Sequence, residues 1–141
     1  MKHRLPVLLS LSALILLSAL ILLTLGVGLT FAHHSATATY INGKSVKIEG
    51  TLKEFIWRNP HSFMKVQAPD ENGEMQTWVI EGAAAALLAE QGVTTNTFRP
   101  GDHVIVTGQP GRIAEDHRLL LERMERPSDG VKVEGPAAAR Q

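Results

Sequence analysis

The chain has 141 residues, 14 Lys+Arg, 14 Asp+Glu and no cysteine. Without cysteine, thiol catalysis, thiolate metal sites and disulfides are excluded, so a folded part must hold by packing alone. The even charge balance argues against nucleic acid as a partner, because that partner asks for a concentrated basic footprint.

Lys2 and Arg4 open the chain, and from Leu5 to Ala32 no residue is charged. A basic start, a long apolar run and small residues at its end mark an export signal. A usual signal core has about 7–15 apolar residues and a membrane-spanning helix about 20, so the run is long for the first and sufficient for the second. Residues 1–32 are therefore a signal peptide or a membrane anchor. Cleavage would follow Thr30-Phe31-Ala32, a small-x-small site. Otherwise residues 5–32 stay in the inner membrane as a partner. Both fates keep the two cations inside, so the expected location is periplasmic or exported, soluble after cleavage or anchored to the inner membrane. The segment takes two basic residues with it, leaving 12 Lys+Arg against 14 Asp+Glu, a net of −2.

Residues 33–45 read as a polar lead-in with a turn at Asn42-Gly43, and residues 46–134 as one β domain. In the first strand Val46, Ile48 and Leu52 share one parity, while Phe55 and Trp57 fall on the other. Such a flip predicts a bulge near Lys53-Glu54, with Gly50 easing the curvature. A second strand is expected over His61 to Ala68, with Met64, Val66 and Ala68 on one face. The Pro69-Asp70-Glu71-Asn72-Gly73 turn makes a hairpin with a third strand, Met75 to Ile80. Ala83 to Gln91 has helix-forming composition, and Gly92 sits where a C-terminal cap belongs. A fourth strand is expected over His103 to Gly108, a fifth over Arg118 to Met124, and a short extended piece at Val131–Val133. Residues 135–141 read as a disordered tail. Five strands with a helix between the third and fourth is the order of a small OB-like barrel, mainly β, and a bent first strand can serve both halves of it.

Three places could carry chemistry. If cleavage follows Ala32, His33 becomes the N-terminal residue and owns both an α-amine and an imidazole. With a further imidazole these make a T-shaped nitrogen set suited to copper. The second place is the loop Trp57-Arg58-Asn59-Pro60-His61, where Trp57 offers a flat surface, Asn59 a donor and an acceptor, and His61 a ligand or proton shuttle. The structural alternative puts Trp57 in the core and Asn59 in an Asx turn before Pro60. The third place is Trp78 and Glu81. Glu81 could bind a metal, pair with Arg58 or Arg99, or open the helix, which favours an acid at its start. The helix role is the expected one. His103 and His117 are expected in solvent. No phosphate-cradling glycine loop, zinc-protease helix or nucleophile elbow is present, so nothing requires an enzyme.

The chain resembles an uncharacterised family of small exported bacterial proteins, known as domain of unknown function number 6152. The resemblance rests on His33-His34-Ser35 after the signal, Trp57-x-Asn59-Pro60-His61, Trp78-x-x-Glu81, and Arg99-Pro100-Gly101-Asp102-x-Val104-x-Val106-x-Gly108. The alanine-rich stretch Gly82 to Ala86 departs from the pattern. The resemblance implies an exported β-rich domain and no particular activity. It also draws His33, His34 and His61 together as candidate ligands for copper or another divalent metal, with Glu81 as an outer partner. The alternative is a domain docked on an envelope protein through Trp57, Phe63 and the first loop. A third reading is an acid–base enzyme using His61 and Glu81.

Overall fold

The computed structural model describes residues 36–138. The hydrophobic segment, His33 and His34 lie outside the described residues. The β domain is the unit that starts at Thr39.

Its elements are β1 (Val46–Ile56), β2 (Phe63–Pro69), β3 (Met75–Glu81), a short helix α1 (Ala85–Glu90), β4 (His103–Pro110), β5 (Arg118–Arg126) and β6 (Val131–Glu134). The sheet order is β3-β2-β1-β4-β5-β6, and a parallel pairing of β3 with β5 closes the first five strands into a barrel. This is the OB-like arrangement the element order predicts. Val79 to Glu81 of β3 lie beside Arg118 to Leu120 of β5. Further along the same edge of β5, Arg123 to Arg126 carry β6.

β1 serves both halves of the barrel. Val46 to Thr51 pair with β4, and Thr51 to Ile56 pair with β2. The ladder slips between Leu52 and Glu54, leaving Lys53 as the extra residue. That bulge reverses the parity, as the apolar pattern requires, so Phe55 can still pack on the core after Ile48 and Leu52. Gly50 leaves room for the neighbouring strand: a Cβ there would run into the Gln67 carbonyl.

The barrel is filled by alternate residues of each strand, with the parity changing across the register shifts in β1 and β5. Leu52, Met64, Val66, Ile80, Val104, Val106, Leu119, Leu121 and Met124 are fully buried. Leu88 of α1 and Phe98 in the connection to β4 join the same core. Alternation fails in β5, where Leu119, Leu120 and Leu121 are all buried. Leu120 points out of the barrel and is covered by Tyr40 and Ala137 instead.

Three expectations shift. The helix is shorter than Ala83 to Gln91, because Ser62 captures the chain before it. The Ser62 backbone N–H and Oγ both donate to the Ala83 carbonyl, at 3.0 and 2.6 Å, and Gly82 N–H donates back to the Ser62 carbonyl at 2.9 Å. The same exchange delays β2 to Phe63. Residues 135–138, which composition reads as tail, pack against β5. Gly135 N–H donates to the Glu122 carbonyl, Ala137 N–H to that of Leu121, and Ala137 is fully buried.

Candidate functional site

The loop from β1 to β2 carries most of the residues singled out by sequence. Trp57 is half-buried and packs on the core, its ring edge-on to Phe55 at 5.6 Å. Asn59 makes no Asx turn with its own loop. Its Oδ1 accepts the Ala86 N–H at 3.3 Å, while the Arg58 carbonyl accepts that of Ala85 at 3.1 Å. Together they satisfy first-turn amides that α1 cannot pair internally. The Arg58 guanidinium lies over the Phe63 ring at 4.8 Å, and its Nε donates to the His61 carbonyl. Trp57, Asn59 and Phe63 are thus engaged within the domain.

Glu81 ends β3 and does not open the helix, which starts at Ala85 and has no acid in its first turn. Neither Arg58 nor Arg99 is its partner. Its parity is opposite to that of Trp78 and Ile80, so its carboxylate stands outside the barrel wall. There Tyr40 Oη donates to Oε2 at 2.6 Å, and His61 Nδ1 lies 3.4 Å from Oε1. Three segments meet in this way: the lead-in, the first loop and the end of β3. Glu81 is mostly covered, with 19% of its side chain exposed, whereas His61 is 49% exposed. The buried end of the chain of contacts is fixed and the histidine end faces water.

Tyr40 went unnoticed in sequence, although it is the only tyrosine. It is almost fully buried, bridged to Gly111 through the backbone. Burial first, and then the hydrogen bond and charge of Glu81, push its pKa well above the ordinary 10.0, against an opposing pull from Arg118. The phenol is therefore a neutral donor to a carboxylate. The sign for stability follows. The folded chain holds this proton more tightly, so the contribution is complete below about pH 10 and is lost as pH rises through the folded value. Because no other tyrosine is present, the tyrosinate absorbance band reports this group alone. We expect no tyrosinate at the ordinary pH until the chain unfolds, and an earlier onset in Glu81→Gln. Tyrosinate forming at its ordinary pH in the folded chain would refute the burial and the carboxylate bond alike.

Trp78 is buried inside the barrel, and its indole N–H has no acceptor among the described residues. His117 stands edge-on to it at 5.1 Å and lies 3.9 Å from Asp70. His117 is thus mostly covered, not solvated as its charged surroundings suggested. His103 is exposed as expected and bonds Glu49 at 2.8 Å. A cleft of about 500 Å³ opens beside Trp78, where β1 begins and the β2–β3 hairpin meets the β4–β5 loop.

Among the described residues, no group of three His, Asp or Glu side chains could hold a metal ion. The pair His61–Glu81 offers one solvent-facing imidazole with a carboxylate behind it. Of the three proposed metal ligands, only His61 is among the described residues.

Comparison with curated proteins finds no match, and neither does comparison with solved structures. A protein-family model, the family of unknown function DUF6152, matches residues 21–120, and the chain belongs to that family.

Proposed function

We propose that this is an exported binding module that holds a divalent metal, copper first, through His61 and the N-terminal histidines. One observation supports it: His61 Nδ1 faces Glu81, and Tyr40 in turn fixes Glu81. The 3.4 Å approach is electrostatic, and a proton placed on Nδ1 towards the carboxylate would leave Nε2 as a lone-pair donor towards water. Metal-binding histidines nearly always have such a partner on the other nitrogen, which sets the tautomer and the ring orientation.

The remaining ligands come from the lead-in. Cleavage after Ala32 would give His33 a free α-amine, whose pKa of about 7.7–8.0 makes deprotonation cheap near neutrality. Its own imidazole and that of His34 complete a nitrogen-rich set of the kind Cu(II) prefers. His33 lies seven positions before Tyr40 in the lead-in.

The same His61–Glu81 pair would suit acid–base chemistry. The 500 Å³ cleft is lined by neither residue, which favours binding over turnover at this place. Docking on an envelope protein would need Trp57 and Phe63, and both already have intramolecular partners.

Equilibrium dialysis of the exported, untagged chain against Cu(II) tests the proposal. His61→Ala is expected to abolish stoichiometric binding. Glu81→Gln keeps the size of the side chain but weakens its hold on the imidazole, and should cost about 10–100-fold in affinity. Equal copper affinity in the parent chain and in His61→Ala would remove the proposal.

A further inference from the structure

A second site lies in the cleft beside Trp78, and it stands independently of the metal reading. We propose that this cleft binds a small soluble organic anion, a carboxylate carried on an apolar body.

Hydrogen-bonding capacity is left unspent beside this cleft. Among the described residues, two buried side-chain nitrogens have no acceptor, Trp78 Nε1 and Arg118 Nε, and both belong to side chains lining this one cleft. Buried donors are nearly always paired, and an unpaired one asks for an explanation. Both groups are donors only. What they lack is therefore an acceptor, which a carboxylate supplies twice over.

Lys44, Lys47, Arg112 and Arg118 line the cleft against Asp70, Glu71 and Glu115, an excess of one positive charge. Asp70 is occupied, since its carboxylate accepts the backbone N–H groups of Asn72 and Glu74 and the Gln76 amide. These bonds outweigh the effect of desolvation and hold its carboxyl below the ordinary carboxylate value. The surplus is local, because the chain after Ala32 carries 12 Lys+Arg against 14 Asp+Glu.

About 500 Å³ suits a small ligand. Val46 and Pro110 supply apolar wall, and Ile113 stands at the rim with 59% of its surface in solvent. The wall suits an apolar body, while the donors and cations suit its charged end.

His117 lines the same cleft and stands edge-on to the Trp78 ring. Its backbone is tied, with N–H to the Ala114 carbonyl and its own carbonyl to the Val79 N–H. Its side chain is held by less, an edge contact to Trp78 and the 3.9 Å approach to Asp70. Movement of that ring would leave the β3–β5 seam intact, because the seam holds the His117 backbone and not its side chain.

Nitrogen-15 NMR of the full chain with naphthoate as probe tests this. Only two indole N–H signals exist, from Trp57 and Trp78. Naphthoate should shift the Trp78 signal saturably and leave that of Trp57 in place. Naphthamide, the uncharged counterpart, should bind about tenfold more weakly, as should naphthoate to Lys47→Gln and, read from the backbone amides lining the cleft, to Trp78→Phe, which keeps an aromatic ring in the core and removes the donor. Lys47 is exposed, so its variant keeps the fold intact for comparison. Equal binding of naphthoate and naphthamide would overturn the proposal, as would a shift confined to Trp57. A Trp78 shift produced by phosphatidylglycerol vesicles and not by naphthoate would overturn it in favour of a lipid headgroup.

Discussion

Phe98→Ala is expected to lower the unfolding free energy by about 3–5 kcal/mol, read from urea denaturation. Phe98 lies in no strand or helix, yet it is 1% exposed and belongs to the main core. It sits in the connection from α1 to β4. Its ring meets Phe55 edge-on at 6.5 Å, and the Arg126 guanidinium lies over it at 5.4 Å. With Leu88 it packs the region that strand residues alone leave open. Truncation would remove the transfer free energy of the ring and leave a cavity that the surrounding sheet cannot collapse into. Phe98→Leu should cost much less, since it keeps most of the volume. A loss below about 1 kcal/mol for the alanine variant would mean that this connection is not part of the cooperative core.

Arg126→Met is the second large effect, about 2 kcal/mol at neutral pH. Arg126 donates to Asp102 and Asp129, both at 2.6 Å, and to the Thr97 carbonyl, with 17% of its side chain exposed. It therefore ties the end of β5 to the α1–β4 connection and to the turn before β6. Methionine preserves the stem and its packing while stranding Asp102. The pH dependence carries a sign. Asp102 is pushed up by desolvation, but the Arg99 backbone N–H and Arg126 outweigh this and hold it below its ordinary value. For Asp129 the Arg126 hydrogen bond comes first, and it too is held low. Depressed carboxyls stabilise above their unfolded pKa, near 4, and that contribution is lost as pH falls through the folded values. The gap between parent and Arg126→Met should thus be full at pH 7 and shrink below about pH 4. A gap that stays constant into acid would assign the loss to packing and not to the ion pairs.

Much of the fold was legible because strands and turns write themselves locally. The reversal of parity between Leu52 and Phe55 marked the Lys53 bulge, and Asn72-Gly73 marked the β2–β3 hairpin. Alternation in Met64–Val66–Ala68 and Val104–Val106 named the core faces correctly. The helix was over-read because its composition says nothing of Ser62, a residue about twenty positions away that pins Ala83 in extended form. The tail was misjudged for a similar reason. Gly135 and Ala137 have weak propensities of their own, and their partners are carbonyls of β5.

The candidate site was half legible. His61 and Glu81 stood out by type and neighbourhood, but their approach depends on the closing of the barrel. Tyr40 and Glu81 are 41 residues apart, beyond any periodic signal. Glu81 looked like a helix opener because apolar residues flank it, and its outward parity in β3 settles it otherwise. His117 looked solvated because acids and arginine surround it in sequence, whereas the parallel seam of β3 and β5 brings it against Trp78.

The metal reading depends on how the chain begins. A retained anchor leaves His33 with a peptide nitrogen in place of an amine, and the N-terminal chelate disappears. Intact-mass analysis of the untagged, exported protein, taken together with its copper content, is the most direct test. The account predicts a chain that starts at His33 and carries one copper ion per molecule. A chain that still starts at Met1, or a processed chain that takes up no copper, would contradict it.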